Sequence, residues 1–577
     1  MVETKKCKQC EKKFEVEDSD LEFYKKISPT FDGKIFDIPS PQLCPQCRLI
    51  RRMVWRNERK LYNNKCSLCE KEIVSVYSLD KKFKVICPEC FWSDKWDQLE
   101  SGRDYNSDKS FFEQFNDLIH STYLLNLFST NCENCGYCNQ EINSVDSYLC
   151  TGGNDNRNCF HCNSCIHGND MTDCWGVGFS EKVHNSVFSV ACFNCQYLYN
   201  CHMCKDCYFL NDCVGCDHCF GSTNLRYKKY YFFNKRLDKD EYFKKIEEYL
   251  YSYEGIKKAQ KEFEKHKLKF PYKYVTVIAS KEDCTGDILL NSKSVKDSYY
   301  CYASENARYV YIIANMKDVM DILSTGTGEL SYEIASSTKP YGSAFFTSCD
   351  LVRNSYYCYN CTSSNDLFGC VSLNKKQYCI FNKQYTKEEY EKEVARIITS
   401  MIKRGEWGEF FPASISPFAY NESNAMEHFP LKRDEAKKEG FDWQDKDYSM
   451  KYDGPYYEPK DIKEYDVEHD PKADKEIEKC IRGIIKCEVS GKLFKIIPQE
   501  MVQYIKNKLQ LPRKHPDVRY RERLNMFNKM NLYHRQCMCE EEGHGHNGQC
   551  KVEFETTFEP ERKEKVYCGE CYQGSVI

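Results

Sequence analysis

Cysteines in the middle of this 577-residue chain are spaced by multiples of three. The densest stretch runs from Cys192 to Cys219, and leucines fill the two gaps in its register. Steps of three from residue 129 to residue 225 visit 33 positions, of which sixteen are Cys and seven are Ser. A period of three fits neither an α-helix nor a flat strand. It is typical of a tight β-solenoid, in which one residue of each triplet points inward.

The same register returns between Gly286 and Leu373, where no triplet position is charged and few are Cys. Val, Ile, Ser, Ala and Leu occupy the slot instead. A metal ligand could not be exchanged for these residues, but a buried small side chain could, because free Cys behaves as a small hydrophobe. We therefore interpret the regularly spaced cysteines as core. The alternative is a thiol array that handles metal ions or redox equivalents.

Three further patterns fit stacked coils. The Cys-Cys-Leu-Cys pattern of 192–219 repeats at a constant interval, that from Cys192 to Cys204, which is a plausible coil length. The residue before the inward one is often Asn or Asp, which suits a corner, and the residue after it is often aromatic. Within the first register only Glu141 and Asn156 break the pattern of small or apolar residues.

The chain also repeats itself on a larger scale. Residues 220–242 match residues 368–390 without gaps at an offset of 148, and each copy enters a helix, near Asp238 and near Thr386. We expect these helices to cap the ends of the coils. The predicted fold is mostly β, with two tandem triplet-register β-solenoid units, each capped by a helix, between N- and C-terminal zinc-ribbon-like modules. The expected domains are a double zinc-binding module (1–97), a helical connector (98–128), solenoid unit A (129–268), solenoid unit B (269–405), an irregular linker (406–479) and a C-terminal zinc module (480–577).

The N-terminal module carries four Cys-x-x-Cys knuckles, and its last two are separated by a zinc-ribbon spacing. Two knuckles can supply four thiolates in a tetrahedron around one zinc ion. The sequence therefore predicts two closed metal sites, with these ligands: Cys7, Cys10, Cys44 and Cys47 in the first; Cys66, Cys69, Cys87 and Cys90 in the second.

The C-terminal 91 residues repeat this module, but the first site loses its ligands, since Ser490, His515 and Val518 replace three of its cysteines. We expect that half to be metal-free. The second site survives, and its fourth ligand is either Cys537 or Cys539. His544 and His546, in an insertion beside it, could be extra ligands, but we favour exposed loop residues. The predicted ligands are Cys537 or Cys539 together with Cys550, Cys568 and Cys571, which brings the expected total to about three zinc ions.

A basic segment lies between the two N-terminal sites. On a helix, its cationic side chains fall along one side at spacings of three and four, with an aromatic residue available for base stacking. This pattern indicates a possible nucleic-acid contact, and the alternative is a solvated face paired with acidic neighbours. The candidate contact residues are Arg48, Arg51, Arg52, Trp55, Arg56, Arg59 and Lys60.

Charge and hydropathy limit the remaining options. The formal net charge is −4 and the pI is about 6.4, so a chain-wide polybasic binder is excluded and any nucleic-acid contact must be local. The opening residues contain no apolar run and no segment has membrane length. We therefore expect a cytoplasmic protein, where thiols stay reduced.

Two resemblances accompany these patterns. The N-terminal segment, with Cys7, Cys10, Phe14, Pro41 and the Cys-x-x-Cys-Arg of 44–48, resembles a family of probable zinc-binding domains. The whole chain, with FNKQY at 381–385 and FFPASISPFAYN at 410–421, resembles a family of uncharacterised Cys-rich zinc-ribbon and repeat proteins from uncultivated small-genome bacteria. Some members carry the name of a CoA-transferase family, but no glycine loop or βαβ pattern here supports that activity.

Together these observations favour a non-enzymatic, zinc-stabilised scaffold or binding protein with a macromolecular partner, either nucleic acid or protein. The second hypothesis is metal or redox handling by the thiol array. The third is an enzyme, for which no catalytic constellation is visible in the sequence.

Overall fold

A computed structural model describes residues 3–165, 167–176, 184–281, 283–465 and 475–576. The chain is rich in strand, with 29% of residues in strands against 25% in helices. Triplet positions 177, 180 and 183 and linker residues 466–474 lie outside the described residues. Among the helices that are described, none is both long and apolar enough to cross a membrane.

The helices lie mainly outside the triplet segments. They are α1 (Asp18–Ile27), α2 (Pro45–Val54), α3 (Pro88–Phe91), α4 (Phe111–Ser121), α5 (Lys239–Leu250), α6 (Tyr253–Lys267), α7 (Lys387–Arg404), α8 (Asn424–His428), α9 (Arg433–Lys438), α10 (Lys475–Arg482), α11 (Pro498–Lys506), α12 (Pro516–Leu524) and α13 (Gly569–Ser575). The helices predicted near Asp238 and Thr386 are confirmed as α5 and α7. Asp238 and Thr386 are their N-caps, each accepting a backbone N–H of the first turn.

Short strands build the N-terminal part of the chain. They are β1 (Glu3–Lys6), β2 (Lys13–Val16), β3 (Thr30–Phe31), β4 (Lys34–Ile35), β5 (Tyr62–Lys65), β6 (Glu72–Ser75), β7 (Lys84–Ile86) and β8 (Tyr123–Leu125). The first triplet segment, called block A (129–236), continues with β9 (Val187–Val190), β10 (Gln196–His202), β11 (Tyr208–Asn211), β12 (Asp217–Phe220), β13 (Lys229–Phe232) and β14 (Lys235–Arg236).

The second triplet segment, called block B (277–384), is entered through β15 (Tyr272–Lys273). Its strands are β16 (Val277–Ile278), β17 (Gly286–Leu290), β18 (Lys293–Lys296), β19 (Ser298–Tyr302), β20 (Glu305–Arg308), β21 (Tyr311–Thr338), β22 (Tyr341–Asp350), β23 (Asn365–Phe368), β24 (Gln377–Ile380) and β25 (Lys383–Gln384). The C-terminal strands are β26 (Ile485–Lys486), β27 (Leu493–Phe494), β28 (Tyr533–Gln536), β29 (Glu553–Thr556) and β30 (Val566–Tyr567).

The parallel pairings within both blocks share one register. In block A, Gln196 pairs with Tyr208, which pairs with Phe220. Isolated bridges extend the same offset back to Thr130, which pairs with Ile142. In block B, the long strand β21 pairs with β19, β20 and β22 at this offset and produces a curled parallel sheet. The offset from Gln196 to Tyr208 equals the interval from Cys192 to Cys204, at which the Cys-Cys-Leu-Cys pattern repeats.

In the described parts of both blocks, nearly every third residue adopts a left-handed backbone conformation. Along 131–176 and again along 288–381, most residues just before an inward position have φ between about 40° and 60°. Asn and Asp tolerate this region through local hydrogen bonds, which explains their enrichment there. Asn and Asp therefore do lie at left-handed positions, although block B also places Ile288 and Ile312 there.

The inward residues form the core of each block. Cys192, Cys204 and Cys213 are at most 1% exposed and belong to one apolar cluster with Leu198 and Leu210. Block B packs aliphatic residues and cysteines together in the same way, from Leu289 to Cys379. A close-packed column of small side chains favours residues of similar size, which is why Cys, Ser, Val and Leu exchange within it.

Each terminal module contacts both blocks. In the N-terminal module, β7 pairs in parallel with β8, which leads into block A, whereas α2 packs on β21 of block B. In the C-terminal module, β30 pairs in parallel with β15, which leads into block B. Its helix α12 bears the arginines that pair with Asp173 of block A. Each module therefore bridges both blocks, and the chain has an internal pseudo-twofold arrangement.

The segment after α7 is more structured than the irregular linker that the sequence suggests. It contains α8 and α9, and four of its aromatic residues are buried in the core that the N-terminal module shares with block B: Phe410, Phe411, Phe418 and Tyr420. Phe411 stacks on Phe115 of α4, with 4.6 Å between ring centroids. The FFPASISPFAYN motif is therefore core that joins α4, the N-terminal module and block B.

Candidate metal centres

Each predicted metal site combines a cysteine turn with the first turn of a helix. Cys44, Cys87 and Cys568 are the N-caps of α2, α3 and α13, and the second cysteine of each pair lies within that first turn. Backbone N–H groups at a helix start are unsatisfied, and together with the helix dipole they stabilise anionic thiolates. The helices therefore aim positive potential at the sulfur atoms.

The first site brings Cys7, Cys10, Cys44 and Cys47 together, with all four sulfur atoms within 4.8 Å of one another. The Sγ atoms of Cys10 and Cys44 are 3.6 Å apart. Hydrogen bonds from Cys47 lower the pKa of Cys44 to about 5. This cysteine is thus suited to the thiolate form that a metal ion requires.

The second site groups Cys66, Cys69, Cys87 and Cys90 within the same 4.8 Å limit. The Sγ atoms of Cys69 and Cys87 are 3.8 Å apart, and the backbone N–H of Cys87 donates to Cys66 Sγ at 3.4 Å. Burial by itself raises the pKa of Cys66, but backbone donors, with that of Cys87 foremost, lower it to about 6.

The third site shows which of Cys537 and Cys539 completes its group of four cysteines. Cys537, Cys550, Cys568 and Cys571 form the four-sulfur group, and the backbone N–H of Cys568 donates to Cys537 Sγ at 3.2 Å. Cys539 lies outside this group and faces His544, with 3.2 Å between Cys539 Sγ and His544 Nδ1. Cys537 is therefore the fourth cysteine of this site.

These distances fit a tetrahedral ion. Four thiolates at about 2.3 Å from zinc lie roughly 3.8 Å from one another. The separations of 3.6 Å and 3.8 Å in the first two sites approach that value without further movement. All three groups could therefore hold a metal ion.

In the first half of the C-terminal module, residues at positions equivalent to the N-terminal ligands make hydrogen bonds with the backbone. His515 occupies the place of Cys44 and caps α12, where its Nδ1 accepts the backbone N–H of Asp517 at 3.0 Å. The sulfur of Cys487 accepts the backbone N–H of Ser490 at 3.4 Å.

The column cysteines use their thiols differently. Cys204 donates to the carbonyl oxygen two residues earlier, that of His202, at 3.5 Å. Ser222, in the same column, donates to the carbonyl of Phe220 at 2.9 Å. Burial raises the pKa of Cys301 in block B, whereas hydrogen bonds from neighbouring column thiols, that of Cys192 foremost, lower the pKa of Cys204. Within the described residues, neither column contains a group of converging metal ligands.

The predicted nucleic-acid stripe is not an exposed surface, and this expectation is wrong. Arg48, Arg52, Trp55 and Arg56 are at most 4% exposed. Trp55 packs against Phe411 and donates from Nε1 to a backbone carbonyl, so no face is free for a base. Arg51 and Arg59 are half-buried, and Lys60 is the exposed member of the set.

The stripe instead docks the N-terminal module on block B. Arg48 Nε donates to Asp321 at 2.9 Å, and Arg52 spans both carboxylates, reaching Asp321 at 3.0 Å and Glu333 at 2.7 Å. Arg51 adds a bond to Glu333 at 2.9 Å. Asp321 and Glu333 are fully buried and lie at equivalent points of successive repeats.

Arg59 and Lys60 face the C-terminal module. The Arg59 guanidinium lies 3.8 Å from the ring centroid of Tyr520, and both cations lie 3.5 Å from Asp517. These two residues therefore connect the modules rather than an outside partner.

Sequence reasoning missed the acidic partners and favoured an exposed placement for the inserted histidines. Asp173 and Asp321 are separated by the offset of the internal repeat, and each pairs with two arginines of a module. That offset, together with arginines four apart in both modules, is a signal that could have found them. His544 and His546 are half-buried and aim at cysteines, rather than lying exposed in a loop.

No protein-family model matches the chain, and no curated protein matches it either.

Proposed function

We propose that this protein is a non-enzymatic scaffold made of two tandem β-solenoid units, blocks A and B, each closed by a helix and held together by metal-stapled end modules. The observation that carries the proposal is the division of the cysteines between two environments. Sulfur atoms converge in groups of four only within the modules, as far as the chain is described, whereas column thiols are buried donors to backbone carbonyls.

Zinc is the ion that these groups favour. Four soft thiolates in a closed tetrahedral set are typical of structural zinc sites, which keep no open coordination position for substrate. The role proposed for the ions is therefore to fix the knuckles, and through them α2, α3 and α13, within the end modules. The 38 free cysteines suit a reducing compartment such as the cytoplasm.

Elemental analysis of the purified full chain tests this proposal. The scaffold predicts three or four tightly bound zinc ions per chain and few thiols that react in the folded state. Ten or more ions, or rapid modification of column thiols in the folded protein, would favour metal or redox handling and overturn the scaffold. A chain with no bound metal would contradict it as well.

A polyanionic partner such as nucleic acid is proposed at a different surface from the buried stripe. An open groove of about 780 Å³ runs between the β3–β4 hairpin and α7, and five cations and one acid line it: Lys34, Lys392, Arg396, Lys403, Arg404 and Asp32. Arg396 is held by Glu393, and Arg404 donates to the carbonyl of Ser107. The three lysines are exposed and available to phosphates.

The groove is tested by charge reversal. Lys34→Glu/Lys392→Glu/Lys403→Glu should abolish salt-dependent binding of a labelled single-stranded oligonucleotide by the full chain. The matched control is Lys244→Glu/Lys261→Glu/Lys265→Glu, which makes the same charge change on exposed lysines of α5 and α6 after block A. Equal binding by the groove variant and the wild type would contradict the groove, as would equal loss in both variants.

A further inference from the structure

The insertion that distinguishes the C-terminal metal site folds back onto that site. Cys539 Sγ is 3.2 Å from His544 Nδ1, and Cys571 Sγ is 3.4 Å from His546 Nε2. The four ligand atoms all lie within 4.8 Å of one another. Cys539 is fully buried and Cys571 is 2% exposed, whereas both histidines are half-buried. A second group of soft ligands therefore adjoins the four-cysteine group and shares Cys571 with it.

Each histidine is oriented as a metal ligand would be. His546 Nδ1 lies 2.8 Å from the carbonyl oxygen of Gly548, so Nδ1 carries the proton and Nε2 presents its lone pair to Cys571. His544 Nε2 lies 3.6 Å from Glu541, whose other oxygen accepts from Tyr567 at 3.0 Å. A proton on that nitrogen leaves the Nδ1 lone pair facing Cys539. The Gly548 carbonyl thus fixes the tautomer of His546, and a second polar partner of this kind is characteristic of metal-binding histidine.

The backbone is shaped to bring the two rings to one place. Gly543 and Gly545 have φ of 86° and 81°, values that favour glycine, and they flank His544. On α13, a Cβ at Gly574 would lie 2.8 Å from His544 Nε2, so the ring occupies the space that a side chain would fill. The rings of His544 and His546 lie at 81° to each other with centroids 6.4 Å apart.

We propose that Cys539, His544, His546 and Cys571 bind a second metal ion, and that the Cys571 thiolate bridges it to the ion of the four-cysteine site. The proposal deepens the metal-stapled scaffold and rests on it, because the two ions share a ligand. Five thiolates and two neutral imidazoles around two divalent ions give a net charge of −1. One divalent ion in four thiolates alone gives −2. The second ion therefore reduces the negative charge gathered at the start of α13.

Zinc is the chemical class of ion that fits, since two sulfur and two imidazole ligands in a closed set suit a d¹⁰ or a tetrahedral d⁷ ion. The expected content of the whole chain becomes four ions rather than three. The site would tie the insertion to α13 and so close the C-terminal module.

The test compares metal-to-chain ratios of the full-length protein after saturation with zinc and removal of weakly bound ions. We expect four zinc ions in the wild type, three in His544→Asn/His546→Asn, and four again in His546→Cys, which restores a soft ligand. His120→Asn is the matched control, an exposed histidine on α4, and should keep four. Circular dichroism of each variant checks that it is folded.

Cobalt substitution gives an independent readout. Co²⁺ in place of zinc should show two kinds of tetrahedral site in the visible spectrum, and the double histidine variant should lose the S₂N₂ contribution. Three ions in the wild type, or four ions in the folded double variant, would overturn the second ion while leaving the scaffold intact. A wild-type chain without zinc would overturn both.

Discussion

The N-terminal and C-terminal modules are copies that dock in the same way but are stabilised differently. In both, two arginines one helical turn apart grip an aspartate at the same point of a block: Arg48 and Arg52 on Asp321, and Arg519 and Arg523 on Asp173. The N-terminal helix α2 begins in a four-cysteine site, whereas the C-terminal helix α12 begins at a histidine cap. Docking by ion pairs therefore does not depend on the adjacent metal site.

A buried polar network lies beside α12, where the N-terminal module has a four-cysteine site beside α2. Glu500 of α11 accepts from Tyr504 at 2.7 Å and pairs with His161 of block A at 2.9 Å. Burial opposes ionisation of Asp173, but Arg519 and Arg523 outweigh it and lower the pKa of that carboxyl. Buried charges of this kind are tolerated only when every partner is present. The comparison teaches that the N-terminal docking helix α2 begins at a metal site, whereas the C-terminal docking helix α12 relies on buried polar contacts.

Metal removal should separate the metal-binding segments from the metal-free half of the C-terminal module by the largest margin. Structural zinc contributes about 10–16 kcal/mol to the folding of small zinc domains. With a strong chelator, amide protection should fall in residues 3–97 and 533–576, which contain the ligands, and persist in 485–524. Hydrogen exchange followed by mass spectrometry measures this, with zinc re-addition as the control. Uniform loss of protection across all three segments would contradict the division.

Removing one buried aspartate should affect the C-terminal dock more than the N-terminal one. Among the described residues, Asp173→Asn leaves Arg519 and Arg523 with no carboxylate at contact distance, which costs about 3–5 kcal/mol. Asp321→Asn should cost about half as much, because Arg52 keeps its 2.7 Å bond to Glu333. Urea denaturation monitored in α12 and α2 compares the two variants.

The control for these substitutions is Asp445→Asn, which breaks a surface pair with Arg433. We expect it to leave stability almost unchanged, because exposed ion pairs contribute little. A greater loss of stability in Asp321→Asn than in Asp173→Asn would show that Glu333 does not compensate for the missing carboxylate.

The pH dependence of the free energy of unfolding should differ between the two blocks. Glu141 sits in the column of block A where block B has Leu289, at the same offset of 148. Burial raises its pKa to about 7, despite hydrogen bonds from Ser144 and Asn156. The native state then binds more protons than the unfolded state between the ordinary Glu pKa and pH 7, so stability falls as pH rises through that window.

Glu141→Gln should remove this dependence, with a gain at pH 8 on the order of 3 kcal/mol and little change at pH 4. The measurement is the free energy of unfolding of block A against pH, with Asp155→Asn, a surface acid of the same block, as the control. An unchanged pH profile in Glu141→Gln would show that this carboxyl titrates normally.

The smallest effect is expected for a column cysteine. Cys213→Ser should cost only about 1 kcal/mol, because serine at the neighbouring column position, Ser222, already donates to the equivalent carbonyl. Cys90→Ser, at a metal site, should instead lose one bound ion. Thermal unfolding together with metal content compares the variants, and loss of metal in Cys213→Ser would refute the packing role of the column.

Much of the block architecture could be predicted from the sequence because its constraints are local. A column that accepts only small side chains produces a sequence period of three. Backbone positions with positive φ favour Asn and Asp. Both patterns can be recognised within any short segment of a block. The four-cysteine groups were predictable for the same reason, since each knuckle has a short fixed spacing.

The docking contacts could not be predicted in this way. Arg48 meets Asp321 across 273 residues, and a basic helix face has the same pattern whether it meets water, a phosphate or a buried carboxylate. The orientation of His544 depends on glycine conformations and on the missing side chain of Gly574, neither of which has a periodic signature. Only the internal offset of 148 linked the distant partners.

The division between stapled modules and packed columns is tested most directly by locating the metal ions. A crystal of the protein as purified, measured at the zinc absorption edge, should give anomalous peaks at the three four-cysteine groups and at the site beside Cys571. No peak should appear along Cys192–Cys219. Peaks within that column, or empty density between the knuckle cysteines, would contradict the account.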